Sequence, residues 1–239
     1  MIKIVFLSFI LVLAGCSRSF FSHNTSPDIK YHNKRYIIIQ AGEQSWMAEN
    51  LATSTYRYGK KIPVIKDYNI WPEMKTPGCG YYKNDSSMLR KYGMLYNWYA
   101  VDGGKLCPMG WRVATHQDWN KLEEFLGGQF RSGGKMKAVA GWKYRHISGD
   151  DIGFKALPGG YRLNDDFLEG AEAIWWSSSV AMNTDFQKGK LSEEYKSLAE
   201  NKDYVWGRKI VYNSTYLYST LNKRENGFSV RCVSGKKVK

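Results

Sequence analysis

One segment of this chain carries helical punctuation at both ends. Thr115-His116-Gln117-Asp118 reads as a capping box, with Thr115 at the N-cap and Asp118 at the third helical position in place of the commoner Glu. Trp119, Leu122 and Leu126 follow at i, i+3 and i+7, one apolar face, and Gly127-Gly128 stops the run. Helical periodicity is scarce elsewhere. A second short helix is expected from about residue 134 to 139, and residues 191–202 are charged and helix-prone behind Ser192. The remainder falls into runs of strand length. Residues 29–31 and 36–39 flank a turn at His32-Asn33-Lys34-Arg35, and residues 44–51 read as strand then turn. Further strands are expected at 174–180, 204–212, 216–221 and 228–233, with turns at Asn213-Ser214 and Asn222-Lys223. Few short helices among mostly antiparallel strands define an α+β domain. Residues 52–92 read as irregular, a stretch long enough to require either a function or a core that pins it.

The first sixteen residues lie outside that fold. Residues 4–14 are apolar apart from Ser8, follow a single Lys3, and are too short for a spanning helix of roughly 20 apolar residues. They suit the apolar region of a secretory signal. Leu13-Ala14-Gly15-Cys16 resembles the bacterial lipobox, so cleavage before Cys16 is expected to expose its amine and thiol for acylation. More than one acyl chain makes such an anchor stable. An ordinary signal peptide with a chance cysteine is the alternative. The expected organisation is a signal peptide at 1–15, a lipidated Cys16 with a polar tether to 27, one domain at 28–234, and a basic tail at 235–239. The expected location is the bacterial outer membrane. Ser17-Arg18-Ser19 lacks the acidic residues that often mark surface export, which leans to the periplasmic face.

Several segments match one pattern in the same order. They are Gln44-Ser45-Trp46-Met47-Ala48-Glu49-Asn50-Leu51, Tyr92-Gly93-Met94-Leu95-Tyr96-Asn97-Trp98-Tyr99-Ala100, and Gly104-Lys105-Leu106-Cys107-Pro108-Met109-Gly110-Trp111-Arg112-Val113 running into Asp118-Trp119. Then come Gly153-Phe154-Lys155-Ala156-Leu157-Pro158-Gly159-Gly160-Tyr161-Arg162, Trp175-Trp176-Ser177-Ser178-Ser179 and Gly227-Phe228-Ser229-Val230-Arg231-Cys232-Val233. This order resembles the Fibrobacter succinogenes major paralogous domain, found in secreted proteins and lipoproteins of Bacteroidetes and Fibrobacteres. That family is similar to the C-type-lectin-like fold, so the resemblance implies an α+β domain whose N- and C-terminal strands pair. It implies little about activity, because folds do not dictate function. The chain departs from the family at the His32-Asn33-Lys34 turn, at His116-Gln117, and in a longer stretch around 184–203 that is expected on the surface.

Cys79, Cys107 and Cys232 remain after lipidation, and three single pairings are open to them. The family motifs favour Cys107–Cys232, which an oxidising envelope permits; three buried free thiols are the alternative. His23, His32, His116 and His146 show no metal-ligand spacing, so neither metal nor cofactor is expected. No nucleophile or zinc signature appears. Ser177-Ser178-Ser179 reads as sheet hydroxyls, and Asp150-Asp151 and Asp165-Asp166 as loop carboxylates. The formylglycine-generating branch of the superfamily needs a reactive Cys pair near the C-terminus, where only Cys232 stands, and the calcium-lectin tripeptides are absent. No catalysis is expected.

The chain holds nine Trp, 17 Tyr and 10 Phe at a net charge of +13. Trp46, Trp98, Trp111, Trp119, Trp175 and Trp176 lie in the motifs and read as core. Outside them, Trp71, Trp142, Tyr144, Arg145, Trp206, Arg208, Tyr216 and Tyr218 are the candidate ligand contacts, aromatic platforms with cations beside them. So basic a chain in the cytoplasm would suggest nucleic acid. Behind a signal peptide the expected partners are the membrane, through Cys16, and an anionic glycan or another envelope protein. A lipid-anchored, lectin-like binding or adhesion domain is the leading expectation. A polysaccharide-processing enzyme or accessory factor and a structural envelope or fimbria-associated subunit are the alternatives.

Overall fold

Strands β1 (Asp28–Tyr31) and β2 (Lys34–Ala41) form the opening hairpin. The computed structural model describes residues 27–143, 149–163, 170–181, 197–198 and 200–236. The hairpin turn is tighter than expected. Only His32-Asn33 lie outside the ladder, while Lys34 and Arg35 pair with Tyr31 and Lys30. His32 supplies the left-handed backbone (φ 51°) that so short a turn needs. Strand β3 (Gln44–Met47) pairs back on β2, with Ile39 opposite Trp46.

Residues 52–92 are mostly loop and single 3-10 turns, ending in β4 (Cys79–Tyr81) and α1 (Leu89–Tyr92). Buried Cys79 pins this stretch, standing opposite Tyr96 of β5 (Met94–Tyr96). Next come α2 (Trp98–Val101), β6 (Arg112–Val113), α3 (His116–Phe125) and α4 (Gln129–Met136). Strands β7 (Glu172–Val180), β8 (Tyr204–Val211) and β9 (Tyr218–Lys223) make an antiparallel three-stranded sheet. The last strand, β10 (Cys232–Ser234), enters the first sheet between β3 and β6, giving the order β1-β2-β3-β10-β6. Val233 stands opposite both Trp46 and Arg112, so the C-terminal strand pairs antiparallel with β3 and β6, and reaches the first strand β1 only through β3 and β2. The architecture is α+β.

The Cys107–Cys232 disulfide fastens this closure, with Cα atoms 5.9 Å apart. It spans 125 positions, worth about 5 kcal/mol in the chain-entropy model. Two large apolar clusters and a small one around Trp206 fill the interior of the described residues. One large cluster gathers Tyr96, Trp98, Trp176 and Phe228; the other gathers Trp46, Trp119, Phe154 and Trp175. All six motif tryptophans are buried.

Other element boundaries also differ from the sequence expectation. The second helix is Gln129–Met136, not 134–139. Its Gly133 lies against the Tyr216 carbonyl, 2.2 Å from where a Cβ would sit, so this glycine is a packing contact within the helix, and Gly134 follows it inside the helix rather than starting it. Asn222 and Lys223 are not a turn but the end of β9, opposite Val205 and Tyr204; the chain turns at 224–226 instead. The closing run 228–233 is broken, because Phe228 bridges to Tyr96 and Ser229 to Trp175 before β10 begins. Most of the 184–203 stretch lies outside the described residues.

Candidate functional site

The polar residues of the motifs build two internal hubs. In the first, Asp118 completes the capping box, accepting from the Thr115 N–H (2.9 Å) and hydroxyl (2.8 Å) while its own N–H donates to Thr115 Oγ1 (3.0 Å). Its carboxylate also accepts two bonds from Arg112, at 3.1 and 2.6 Å, and one from Gln44 at 2.9 Å. Helix α3 is thereby tied to β6 and β3.

The second hub joins five motifs. Arg231 donates from Nε to Asn50 Oδ1 (2.7 Å), from Nη1 to the carbonyls of Met47 and Phe154 (2.9 Å each), and from Nη2 to that of Lys155 (3.3 Å). Its guanidinium lies 4.3 Å from the Phe154 ring centroid. Asn50 also accepts from Trp175 Nε1 (2.8 Å) and donates to the Tyr92 carbonyl and Ser229 Oγ. Burial pushes the Arg231 guanidinium down to about 9, which leaves it cationic at neutral pH.

Beside this hub opens a cleft of about 990 Å³. The β1–β2 hairpin supplies Lys34 and Arg35, and the irregular stretch supplies Lys61 and Arg90. Hydroxyls of Thr53, Thr55, Ser86 and Ser87 stand among them. The one carboxylate in the lining is Glu49, 3.4 Å from Lys34 Nζ. Cations spaced among hydroxyls suit a polyhydroxylated anion.

The residues singled out in the sequence do not form one patch. Trp71, Trp206 and Arg208 are buried, at 1%, 4% and 1% exposure, which corrects their expected surface placement. Arg162 lies 4.3 Å over the Trp71 ring, and both line a separate cavity of about 330 Å³. Trp206 stacks on His116 at 4.3 Å. Arg208 donates to Glu123 at 2.9 Å and to Asn120, and burial pushes it down to about 10. Trp142 is half-buried, its Nε1 donating to the Ala156 carbonyl at 3.0 Å. Tyr216 and Tyr218 do neighbour one another, ring centroids 5.5 Å apart, and Tyr216 meets the exposed Phe130 at 4.8 Å. Cys16, Tyr144, Arg145 and Asp165-Asp166 lie outside the described residues.

The serines at 177–179 spend their hydroxyls on the fold: Ser178 donates to the Val113 carbonyl, while Ser179 and Ser177 accept from the N–H groups of His116 and Ser179. Asp150 accepts from the Lys155 N–H at 2.8 Å. Cys79 is buried and free, and burial pushes its thiol up to about 12. Among the described residues, no three of His, Cys, Asp and Glu gather as metal ligands, and no helix is long and apolar enough to cross a membrane.

What these features define is a disulfide-stapled α+β domain with an internal arginine hub and an open cationic cleft. The chain belongs to the Fibrobacter succinogenes major domain family, whose model matches residues 39–234. It is also similar to an adducin-related protein of Schizosaccharomyces pombe, 25% identical over 147 residues, a match covering 61% of this chain. The chain spans 37% of the length of that curated relative. No solved structure matches it.

Proposed function

We propose that this protein is a lipid-anchored component of the bacterial outer membrane, held through Cys16, whose C-type-lectin-like domain binds an anionic glycan in the cleft without turning it over. The cleft lining carries the reading: Lys34, Arg35, Lys61 and Arg90 stand among hydroxyls, with Lys34 against Glu49 and Arg35 against Asp28, which lies outside the lining. Charge-assisted bonds from these side chains would select sulfate, phosphate or carboxylate groups, and the hydroxyls would exchange hydrogen bonds with the sugar. Pairing of β3 with β10 and the long ordered loops favour the lectin-like fold. The apolar run before Leu13-Ala14-Gly15-Cys16 favours the anchor.

Titrating the purified full chain with a heparin-derived tetrasaccharide tests the ligand. Saturable, salt-sensitive binding without release of reducing ends is expected, about tenfold weaker in the Lys34→Met, Lys61→Met double variant. Binding indifferent to those substitutions, or appearance of new reducing ends, would overturn the reading. For the anchor, Cys16→Ala is expected to move the protein out of the membrane fraction; unchanged fractionation refutes it.

A further inference from the structure

The cleft does not end at its hydroxyl-lined walls. A recess of about 200 Å³ shares Glu49 and Arg90 with it and adds Lys91, Lys155 and Arg231. Arg90, Lys91, Lys155 and Arg231 therefore border a space with room for a sulfate- or phosphate-sized ion and some water, and Glu49 already lies against Lys34.

Arg231 sets this recess apart. A buried charge is ordinarily paired with an opposite one, and Arg208, exposed by the same 1%, takes the carboxylate of Glu123. Arg231 instead spends four of its five N–H groups on neutral acceptors, the Asn50 amide and three main-chain carbonyls. No carboxylate bonds it among the described residues. Glu49, which also lines the recess, and Asp150 offset its charge only through space and without a hydrogen bond. The loop that brings this about is strained. Asp150 and Lys155 both take left-handed backbone, at φ 44° and 52°, which non-glycine residues adopt at a cost. In that conformation Asp150 accepts the Lys155 N–H, and the Lys155 carbonyl accepts from Arg231. Asp150 is thus engaged by main chain, and the Lys155 side chain stands exposed on the recess.

We propose that this recess is an oxyanion subsite, taking the sulfate or phosphate group of a glycan whose sugar ring lies in the adjoining cleft. Arg231 provides a fixed charge that loses no side-chain freedom on binding, and Lys91 and Lys155 provide mobile ammonium groups that close on the ion. Leu157 forms the apolar wall. The assignment rests on the cleft reading for its sugar, but not for its ion.

The test uses inorganic sulfate and inorganic phosphate, titrated into the full chain at constant ionic strength with chloride as control. Saturable binding of either ion is expected, weakened about tenfold by Lys91→Met with Lys155→Met and unchanged by the Lys34→Met, Lys61→Met pair. Both lysines of the recess are exposed, so unaltered circular dichroism is expected to show that the variant still folds. Absence of saturable binding, or binding indifferent to the Lys91 and Lys155 substitutions, overturns the subsite. If the ions bind as expected and the tetrasaccharide does not, the subsite stands and the glycan reading fails. If the tetrasaccharide binds through Lys34 and Lys61 alone, the reverse holds.

Discussion

Asp118 and Arg231 are buried charges of opposite sign in neighbouring parts of one framework, and the protein treats them differently. Around Asp118 the charge is closed. Arg112 forks onto both carboxylate oxygens, and Gln44 and Thr115 take the remaining acceptor capacity. Around Arg231 the geometry is as full, but its bonded acceptors are amide and peptide dipoles, and Glu49 and Asp150 act on the charge only through space. The first arrangement can only hold elements together. The second holds elements together and also places a cation, bonded by no carboxylate among the described residues, at the wall of a cavity.

The largest expected effect breaks the second hub. Arg231→Met removes a donor from three buried acceptors and from the part-buried Lys155 carbonyl at once, and a loss of about 5 kcal/mol in chemical denaturation is expected, enough to unfold many domains of this size. A loss under about 1 kcal/mol would mean that the carbonyls find other donors. Asp118→Asn is expected to cost less, about 2–3 kcal/mol, because Arg112 is 46% exposed in its side chain and can return to water. Lys137 sharpens the contrast. It too is a buried cation on neutral acceptors, donating to the carbonyls of Tyr212 and Ser214 at 2.8 and 2.7 Å, and burial pushes it from 10.5 down to about 8. Between those values the unfolded chain binds more protons, so this group makes stability rise with pH across about 8 to 10.5. The gain over a Lys137→Met control is expected to be on the order of 2 kcal/mol between pH 7.5 and 10; a flat difference would show that the amine is not held from water. Smallest is Thr115→Ala, which removes only the cap and should cost about 1 kcal/mol in thermal or denaturant unfolding.

The parts legible in the sequence are those whose physics is local. Thr115 and Asp118 are three residues apart, so their reciprocal bonds are written in one turn, and the apolar face of Trp119, Leu122 and Leu126 follows from helical spacing. The Cys107–Cys232 pair was legible only through ordered motifs. Trp71 was not legible as core, because the Arg162 that covers its face comes from a distant segment and Gly227 leaves it room, 2.7 Å from a Cβ that is not there. Arg208 read as a surface cation beside aromatics because its partners, Glu123 and Asn120, stand on α3. The cleft had no compact signal at all. Its cations at 34, 35, 61 and 90 are brought together by a hairpin turn and by the irregular stretch that Cys79 pins, and that stretch, too long to be mere connection, was the one hint available.

The position of β10 has a consequence for how the molecule comes into being. A chain emerging from its N-terminus makes β1 to β3 early and β6 midway, but the gap between β3 and β6 stays open until Cys232–Ser234 appears. Trp46 meets Val233 across 187 positions of chain. Such distant pairing makes folding slow. The Arg231 wall of the recess, the staple and β10 are all missing from any nascent fragment that stops short of Arg231, so a chain truncated there retains the other nine described strands yet lacks the one that joins β6 to β1, β2 and β3.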